Sequence, residues 1–99
     1  MIVFTAIIFI YLAKTKSINI LPGKQLSLQS HNHRSEHWVV AEWTALVTVW
    51  EIEKIVPTGE SIYIPLGSKH RLCNPWKINL TVIETQIWAY LEEDDITRY

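Results

Sequence analysis

Short strand-like segments separated by turns run along almost the whole chain. Residues 26–33 alternate between two faces, with Leu26, Leu28 and Ser30 on one of them. The run 80–90 is rich in β-branched and aromatic residues, and turn signals such as Pro22-Gly23 and residues 57–60 separate the segments. No apolar pattern with a period of 3.6 residues persists long enough to predict a helix. Closely spaced short strands with turns between them are typical of a sandwich or a barrel. We therefore expect an all-β fold.

The size and composition of the chain place further bounds on it. Its 99 residues fit one domain, 1–99, and a hydrophobic content of 48% is enough to build a core. The net charge is −1, and the absence of a basic stripe argues against a nucleic-acid partner. The single cysteine, Cys73, cannot form an internal disulfide and fits a reducing compartment, so we expect a cytoplasmic protein.

The first thirteen residues, 1–13, are almost wholly apolar. This run is too short for a membrane-spanning helix, which needs about 20 apolar residues. A secretory signal would carry basic residues before the apolar stretch, and none is present there. The β-branched and aromatic content of the run predicts a buried strand, with a cleaved or membrane-associated leader as the alternative.

The four histidines of the chain lie in two short segments that together suggest a metal site. His31 and His33 are two residues apart, and on a strand that spacing places both imidazoles on one face. Glu36 or His37 could return on the next strand, and His70 could approach from across a barrel. Two or three histidines with one carboxylate suit zinc, iron or manganese. A His-x-His pair alone is more often a surface feature, so the interpretation depends on the segment around His70.

That second segment resembles the second motif of the cupin superfamily. Gly59, Pro65, Gly67, His70 and Asn74 occur at nearly the spacing of that motif. Longer stretches are similar to the type II mannose-6-phosphate isomerase cupin, which usually forms the C-terminal part of a bifunctional mannose-1-phosphate guanylyltransferase/mannose-6-phosphate isomerase. The resemblance covers most of the chain, from about residue 16 onward. The stretches that carry it are Pro22–Gln29, His33–Val40, Tyr63–Leu72 and Tyr90–Ile96.

The resemblance implies a cupin barrel, a double-stranded β-helix of the jelly-roll type, that holds a divalent metal, with zinc as the first choice. His31, His33 and His70 match the histidines that bind metal in cupins. The remaining ligand is usually a glutamate, and Glu36 stands seven residues before the position where the motif expects glycine. The gap between His33 and Glu36 is shorter than the usual three or four residues. His37 fits that gap and remains the alternative ligand.

The resemblance also implies an activity, the interconversion of mannose 6-phosphate and fructose 6-phosphate through an enediol. A metal would polarise the carbonyl while a base moves the proton. His37 and Arg71 are the expected catalytic residues, and Glu84 is another candidate base. Lys69, Arg71 and Arg34 are the candidates for binding the sugar phosphate, because guanidinium and ammonium groups suit phosphate oxygens.

Two other functions compete with the isomerase. A non-catalytic cupin could bind a sugar or stabilise a dimer, since fold alone does not determine function. The chain could also be a truncated copy of a bifunctional enzyme of GDP-mannose biosynthesis, whose guanylyltransferase domain would then be a separate partner. Cupin barrels often pair through their sheets, so the resemblance implies a homodimer.

Four of the five tryptophans stand where the family has glycine. They are Trp43, Trp50, Trp76 and Trp88, whereas Trp38 matches a family tryptophan. Glycine adopts positive φ without steric cost, and tryptophan does not. Either the turns have been rebuilt in a divergent member, or a codon that the source organism reads as glycine has been rendered as tryptophan. The glycine count of only three agrees with the second hypothesis.

Overall fold

The computed structural model describes residues 13–88 and 97–99, which form two β-sheets and, within these ranges, no helix. The all-β expectation is therefore confirmed. In the same ranges no helix is long and apolar enough to cross a membrane. The strands are β1 Ala13–Ile20, β2 Gln29–Ser30, β3 Arg34–Glu42, β4 Ala45–Val49, β5 Ile52–Val56, β6 Ser61–Ile64, β7 His70–Cys73, β8 Leu80–Trp88 and β9 Thr97–Arg98.

The strands pair antiparallel throughout both sheets. The first sheet has the order β1-β8-β3-β6, and the second has the order β5-β4-β7-β2-β9. Buried and more exposed residues alternate along β3 and β7, as expected where one face of each sheet packs against the other sheet. Both sheets contribute to one hydrophobic core. Its buried members are Ile20, Trp38, Val40, Ala45, Val47, Val56, Ile64, Leu72, Leu80 and Val82.

The strand predicted over 26–33 is mostly wrong. Only Gln29–Ser30 is strand within that range, and residues 31–33 form a bend. The bend arises because β2 belongs to the second sheet and β3 to the first, so the chain has to leave one sheet and enter the other. The expectation that His31 and His33 share a strand face fails for the same reason.

Two other predicted strands lie partly outside the described residues. The apolar run 1–13 is described only at Ala13, which begins β1. The long run predicted over 80–90 is confirmed as β8 up to Trp88, and residues 89–90 fall outside the described ranges.

Two of the tryptophans at glycine positions adopt the left-handed backbone conformation. Trp43, in the turn between β3 and β4, has a φ of 64°, and Trp50, between β4 and β5, has a φ of 55°. Among the described residues no other non-glycine residue has a positive φ, so Trp76 and Trp88 do not share this geometry. For a residue with a Cβ atom this conformation costs about 1–2 kcal/mol. The backbone at 43 and 50 is therefore suited to glycine.

Candidate metal centre

Three of the residues expected as metal ligands come together between the sheets. His31, Glu36 and His70 are buried, and each offers a ligand atom within 4.8 Å of those of the other two. The Glu36 Oε2 atom lies 3.1 Å from His31 Nε2 and 3.6 Å from His70 Nε2. His31 lies in the bend after β2, Glu36 points inward from β3, and His70 begins β7. The crossover between the sheets therefore builds this cluster.

Hydrogen bonds to neighbouring residues fix the orientation of the cluster. His70 Nδ1 lies 3.0 Å from the Ser68 carbonyl oxygen, which can only accept, so Nδ1 donates and Nε2 keeps its lone pair toward the cluster. The Trp38 indole donates to Glu36 Oε1 at 2.9 Å. The second carboxylate oxygen, Oε2, is the one turned toward the two imidazoles.

Arg34 adds a buried cation to the cluster. Its Nε donates to Glu36 Oε2 at 3.2 Å, and its terminal nitrogen Nη2 lies 3.0 Å from His31 Nε2. Because a guanidinium group only donates, that second contact requires His31 Nε2 to accept. The single lone pair of His31 Nε2 is therefore directed at Arg34, while the ligand atoms of His31, Glu36 and His70 lie close together. Electron-pair donors converge in this way where they share a cation, so the donor set fits a divalent metal.

The protonation states of the ligands also fit a metal. Burial would by itself raise the pKa of Glu36, but its contacts with His31, Glu84 and Trp38 outweigh burial and hold that pKa well below its usual range. Burial lowers the pKa of His70, although the charge of Glu36 acts in the opposite direction. An ionised carboxylate and a neutral imidazole are the forms that coordinate metals.

The other two histidines expected at the site do not join the cluster. His33 is half-buried in the bend and is not among the three clustered ligands. His37 follows Glu36 on β3, and adjacent strand residues face opposite sides of the sheet. Its ring is exposed and lies 4.9 Å from that of Tyr63. The expected roles of His37 as ligand or base are therefore not supported by its position.

The three cations expected to bind phosphate lie in different surroundings. Lys69 Nζ lies 4.2 Å from the centre of the Tyr99 ring. Arg71 alternates with the inward-facing His70 and Leu72 on β7, and it nevertheless lines a cavity beside the cluster. Its Nε is buried and has no hydrogen-bond partner among the described residues. Of the three expected cations, Arg34 alone contacts the cluster.

A cavity of about 80 Å³ opens beside the cluster, and Glu36 and His70 form part of its wall. That volume holds several water molecules or the polar end of a small substrate. The other polar residues of the wall are Lys16, Ser27, Gln29, Arg34, Arg71 and Glu84.

Gln29 is a functional candidate that the sequence analysis missed. It pairs with His70 in the register of β2 and β7 and lines the cavity. Its amide nitrogen donates to the Ser27 hydroxyl at 2.9 Å, which leaves the amide oxygen available as a ligand atom. Gln29 and His31 are two residues apart, as are His31 and His33. With His31 as the second member of that pair, the gap to Glu36 becomes four residues, which is within the usual range.

Glu84 is a buried carboxyl group on the same cavity wall. It lies on β8 opposite Trp38 on one side and Lys16 on the other. The Gln86 amide donates to Glu84 Oε1 at 2.6 Å. Burial raises the pKa of Glu84 to about 7, and the neighbouring Glu36 adds to this effect. A group that can hold or release a proton near neutral pH thus lies beside the cluster.

Sequence comparisons match this chain to one family model and to several bacterial proteins. The family model described as "Mannose-6-phosphate isomerase C-terminal" matches residues 7–99. Mannose-1-phosphate guanylyltransferase ManC of Salmonella typhimurium is 51% identical over 86 residues, which are 87% of this chain and 18% of that protein. Alginate biosynthesis protein AlgA of Pseudomonas aeruginosa is 49% identical over 85 residues, which are 86% of this chain and 18% of that protein. The chain spans less than a fifth of these relatives.

Structural comparisons identify the fold. Recombinant oxalate oxidase in complex with glycolate superposes with a TM-score of 0.75 at 18% identity, over 87% of this chain and 45% of that one. A Cupin 2 conserved barrel domain protein from Salinispora arenicola gives a TM-score of 0.72 at 19% identity, over 79% of this chain and 65% of that one. The cupin barrel expected from the sequence is thereby confirmed.

Proposed function

Because this chain belongs to the family of mannose-6-phosphate isomerase C-terminal domains, we propose that it interconverts mannose 6-phosphate and fructose 6-phosphate at a divalent metal. The observation that carries the proposal is the clustering of His31, Glu36 and His70 beside a cavity that Glu36 and His70 line. A metal held there supplies Lewis acidity that polarises the substrate carbonyl. Binding, orientation and proton transfer are the tasks of the surrounding side chains.

The ligands would be His31, Glu36 and His70, with the Gln29 amide oxygen as a fourth donor. Two imidazoles, a carboxylate and an amide suit zinc, manganese or iron, and zinc remains the first choice. Ser68 holds the His70 ring in the tautomer that ligation needs. Arg34 donates to Glu36 and would keep it in place, while its bond to His31 Nε2 would give way to the metal, because that nitrogen has a single lone pair.

Glu84 is our candidate for the group that moves the proton between C1 and C2 of the substrate. It lines the same cavity as Glu36 and His70 and is not one of the clustered ligands. A carboxyl group within reach of a substrate carbon can act as a general base. We assign this role to Glu84 instead of His37, which faces away from the cavity.

The proposal extends to the assembly of the protein. The described strands share one hydrophobic core, which supports a single domain over 1–99. The matched relatives are named as guanylyltransferases, or as xanthan or alginate biosynthesis proteins, so we propose that this domain acts beside a guanylyltransferase. We further propose a homodimer, which light scattering of the purified chain would test.

The isomerase proposal is tested by metal-dependent turnover. The purified chain is stripped with a chelator, reloaded with zinc, cobalt or manganese, and assayed with mannose 6-phosphate. We expect turnover only with metal, and we expect His70→Ala to lose both bound metal and turnover. The matched control is His37→Ala, whose side chain faces outward and should keep both.

Two outcomes would contradict the proposal. Bound metal without any turnover would favour a non-catalytic sugar-binding cupin. Unchanged metal content in His70→Ala would show that the ligand assignment is wrong.

A further inference from the structure

We propose that Lys16 and Ser27 form the subsite for the phosphate group of the substrate, at the mouth of the cavity. This inference rests on the proposed function, because it assigns the anionic end of a sugar phosphate to a place in the same cavity. The sugar carbonyl would then lie toward the cluster of His31, Glu36 and His70.

The position of Lys16 follows from the alternation of β1. Ile18 and Ile20 pack against the hydrophobic core, so residues of the same parity on this strand face the interior. Lys16 comes two residues before Ile18 and lines the cavity together with Glu36 and His70. Because Lys16 is exposed at the edge of the first sheet, its ammonium group can meet a ligand that enters from solvent.

Lys16 is one of three cations that line the cavity, together with Arg34 and Arg71. Arg34 is already bonded to Glu36 and His31. Lys16 makes no salt bridge with any carboxylate in the described part of the chain, and its electrostatic interaction with Glu84, its register partner on β8, acts over a longer distance. An unpaired ammonium group on a cavity wall attracts an anion, and a phosphate monoester matches its three donors.

Ser27 provides a second donor from the other side of the cavity. Its hydroxyl oxygen accepts from the Gln29 amide, so its own hydrogen is available to a ligand. Ser27 lies just before β2 of the second sheet, whereas Lys16 belongs to the first sheet. A phosphate held by both residues would bridge the mouth between the sheets.

The test measures direct binding to the full, metal-loaded chain by calorimetry. The probes are mannose 6-phosphate, mannose and inorganic phosphate, and the variants are Lys16→Met, Lys16→Arg and Ser27→Ala. We expect Lys16→Met to weaken binding of mannose 6-phosphate and inorganic phosphate by about 10- to 100-fold, the usual effect of losing a charged hydrogen bond. Mannose binding and metal content should stay within about twofold.

The controls separate a phosphate contact from a general charge effect. Lys54→Met removes an exposed cation of β5 that does not line the cavity, and we expect no change in binding. Lys16→Arg should recover most of the affinity because it restores the charge. Thermal melting of each variant verifies that it is folded.

Each outcome decides at least one of the two proposals, the phosphate subsite and the isomerase activity. Phosphate binding that depends on Lys16 in a protein without turnover would keep the subsite and overturn the isomerase. Turnover with unchanged phosphate affinity in Lys16→Met, or an equal loss in Lys54→Met, would overturn the subsite and keep the isomerase. A wild-type chain that binds neither mannose 6-phosphate nor phosphate would overturn both.

Discussion

The left-handed tryptophans offer a measurable test of how the turns of this barrel are built. Trp43 and Trp50 have φ values of 64° and 55°. We propose to replace each of them by alanine and by glycine. Both replacements remove the indole, so the difference in unfolding free energy between the two variants isolates the backbone contribution.

The alanine reference is needed because of the size of the indole. Trp43 is 41% exposed, so more than half of its side chain is removed from water. An aromatic side chain buries about 150–250 Å² when fully covered, and half of that contributes about 2–4 kcal/mol. This exceeds the backbone cost, so Trp43→Gly alone is expected to destabilise the protein even though it relieves the backbone.

The difference between the two variants has a definite expected sign. A left-handed residue with a Cβ atom costs about 1–2 kcal/mol, which glycine avoids. Glycine loses about 0.4–1 kcal/mol through the greater freedom of its unfolded chain. At 43 and 50 the glycine variant should therefore be more stable than the alanine variant by about 0.5–1 kcal/mol.

Urea unfolding followed by circular dichroism measures these differences, and Trp76 is the matched control. Trp76 also stands at a family glycine position, but its φ is not positive. There the glycine variant should be less stable than the alanine variant, by about 0.4–1 kcal/mol. If alanine equals or exceeds glycine at 43 and 50, or if Trp76 behaves as they do, the strain argument is wrong.

Three further predictions concern the ligands, the buried carboxyl and the tryptophans. Gln29→Ala should weaken metal binding in competition with a chelator while His33→Ala leaves it unchanged, and the reverse result would restore His33 as the ligand. In the metal-free protein the pKa of Glu84 is raised from 4.5 to about 7. The folded state therefore favours the protonated carboxyl group, and the stability that Glu84 contributes is present below pH 4.5 and is lost as the pH rises to 7. Glu84→Gln should therefore gain stability relative to wild type across that window in urea titrations, and a constant difference would contradict the raised pKa. If a codon has been rendered wrongly at 43, 50, 76 and 88, the intact mass of natively made protein should be lower by four tryptophan-to-glycine replacements. A mass matching four tryptophans would refute the recoding hypothesis.

Much of this fold is readable from local sequence, because alternation and turn residues act over a few positions. The strand predicted over 80–90 is observed as β8 from Leu80 to Trp88, where the described range ends. The preference for Glu36 over His37 also has a local basis, since adjacent residues on β3 face opposite sides. A family motif pointed to His70 on the other sheet, which alternation alone could not have paired with Glu36.

The remaining features depend on pairing between distant strands, which no local pattern shows. The crossover at residues 31–33 is a consequence of sheet membership, so the sequence wrongly predicted a continuous strand there. Lys16 and Glu84 face each other only because β1 pairs with β8 in one register. Glutamine is seldom singled out as a ligand, so Gln29 became a candidate only when its cavity position and its bond to Ser27 were known.

Because the clustered residues come from both sheets, binding of a metal ion would be coupled to folding. Glu36 belongs to the first sheet, and His70 belongs to the second, so an ion shared by them would join the two layers across the interior. The unfolded chain lacks this preformed arrangement, so the free energy of ion binding adds to that of folding. A domain of this size has a small stability margin. The supply of the ion would thus set how much of this barrel is folded.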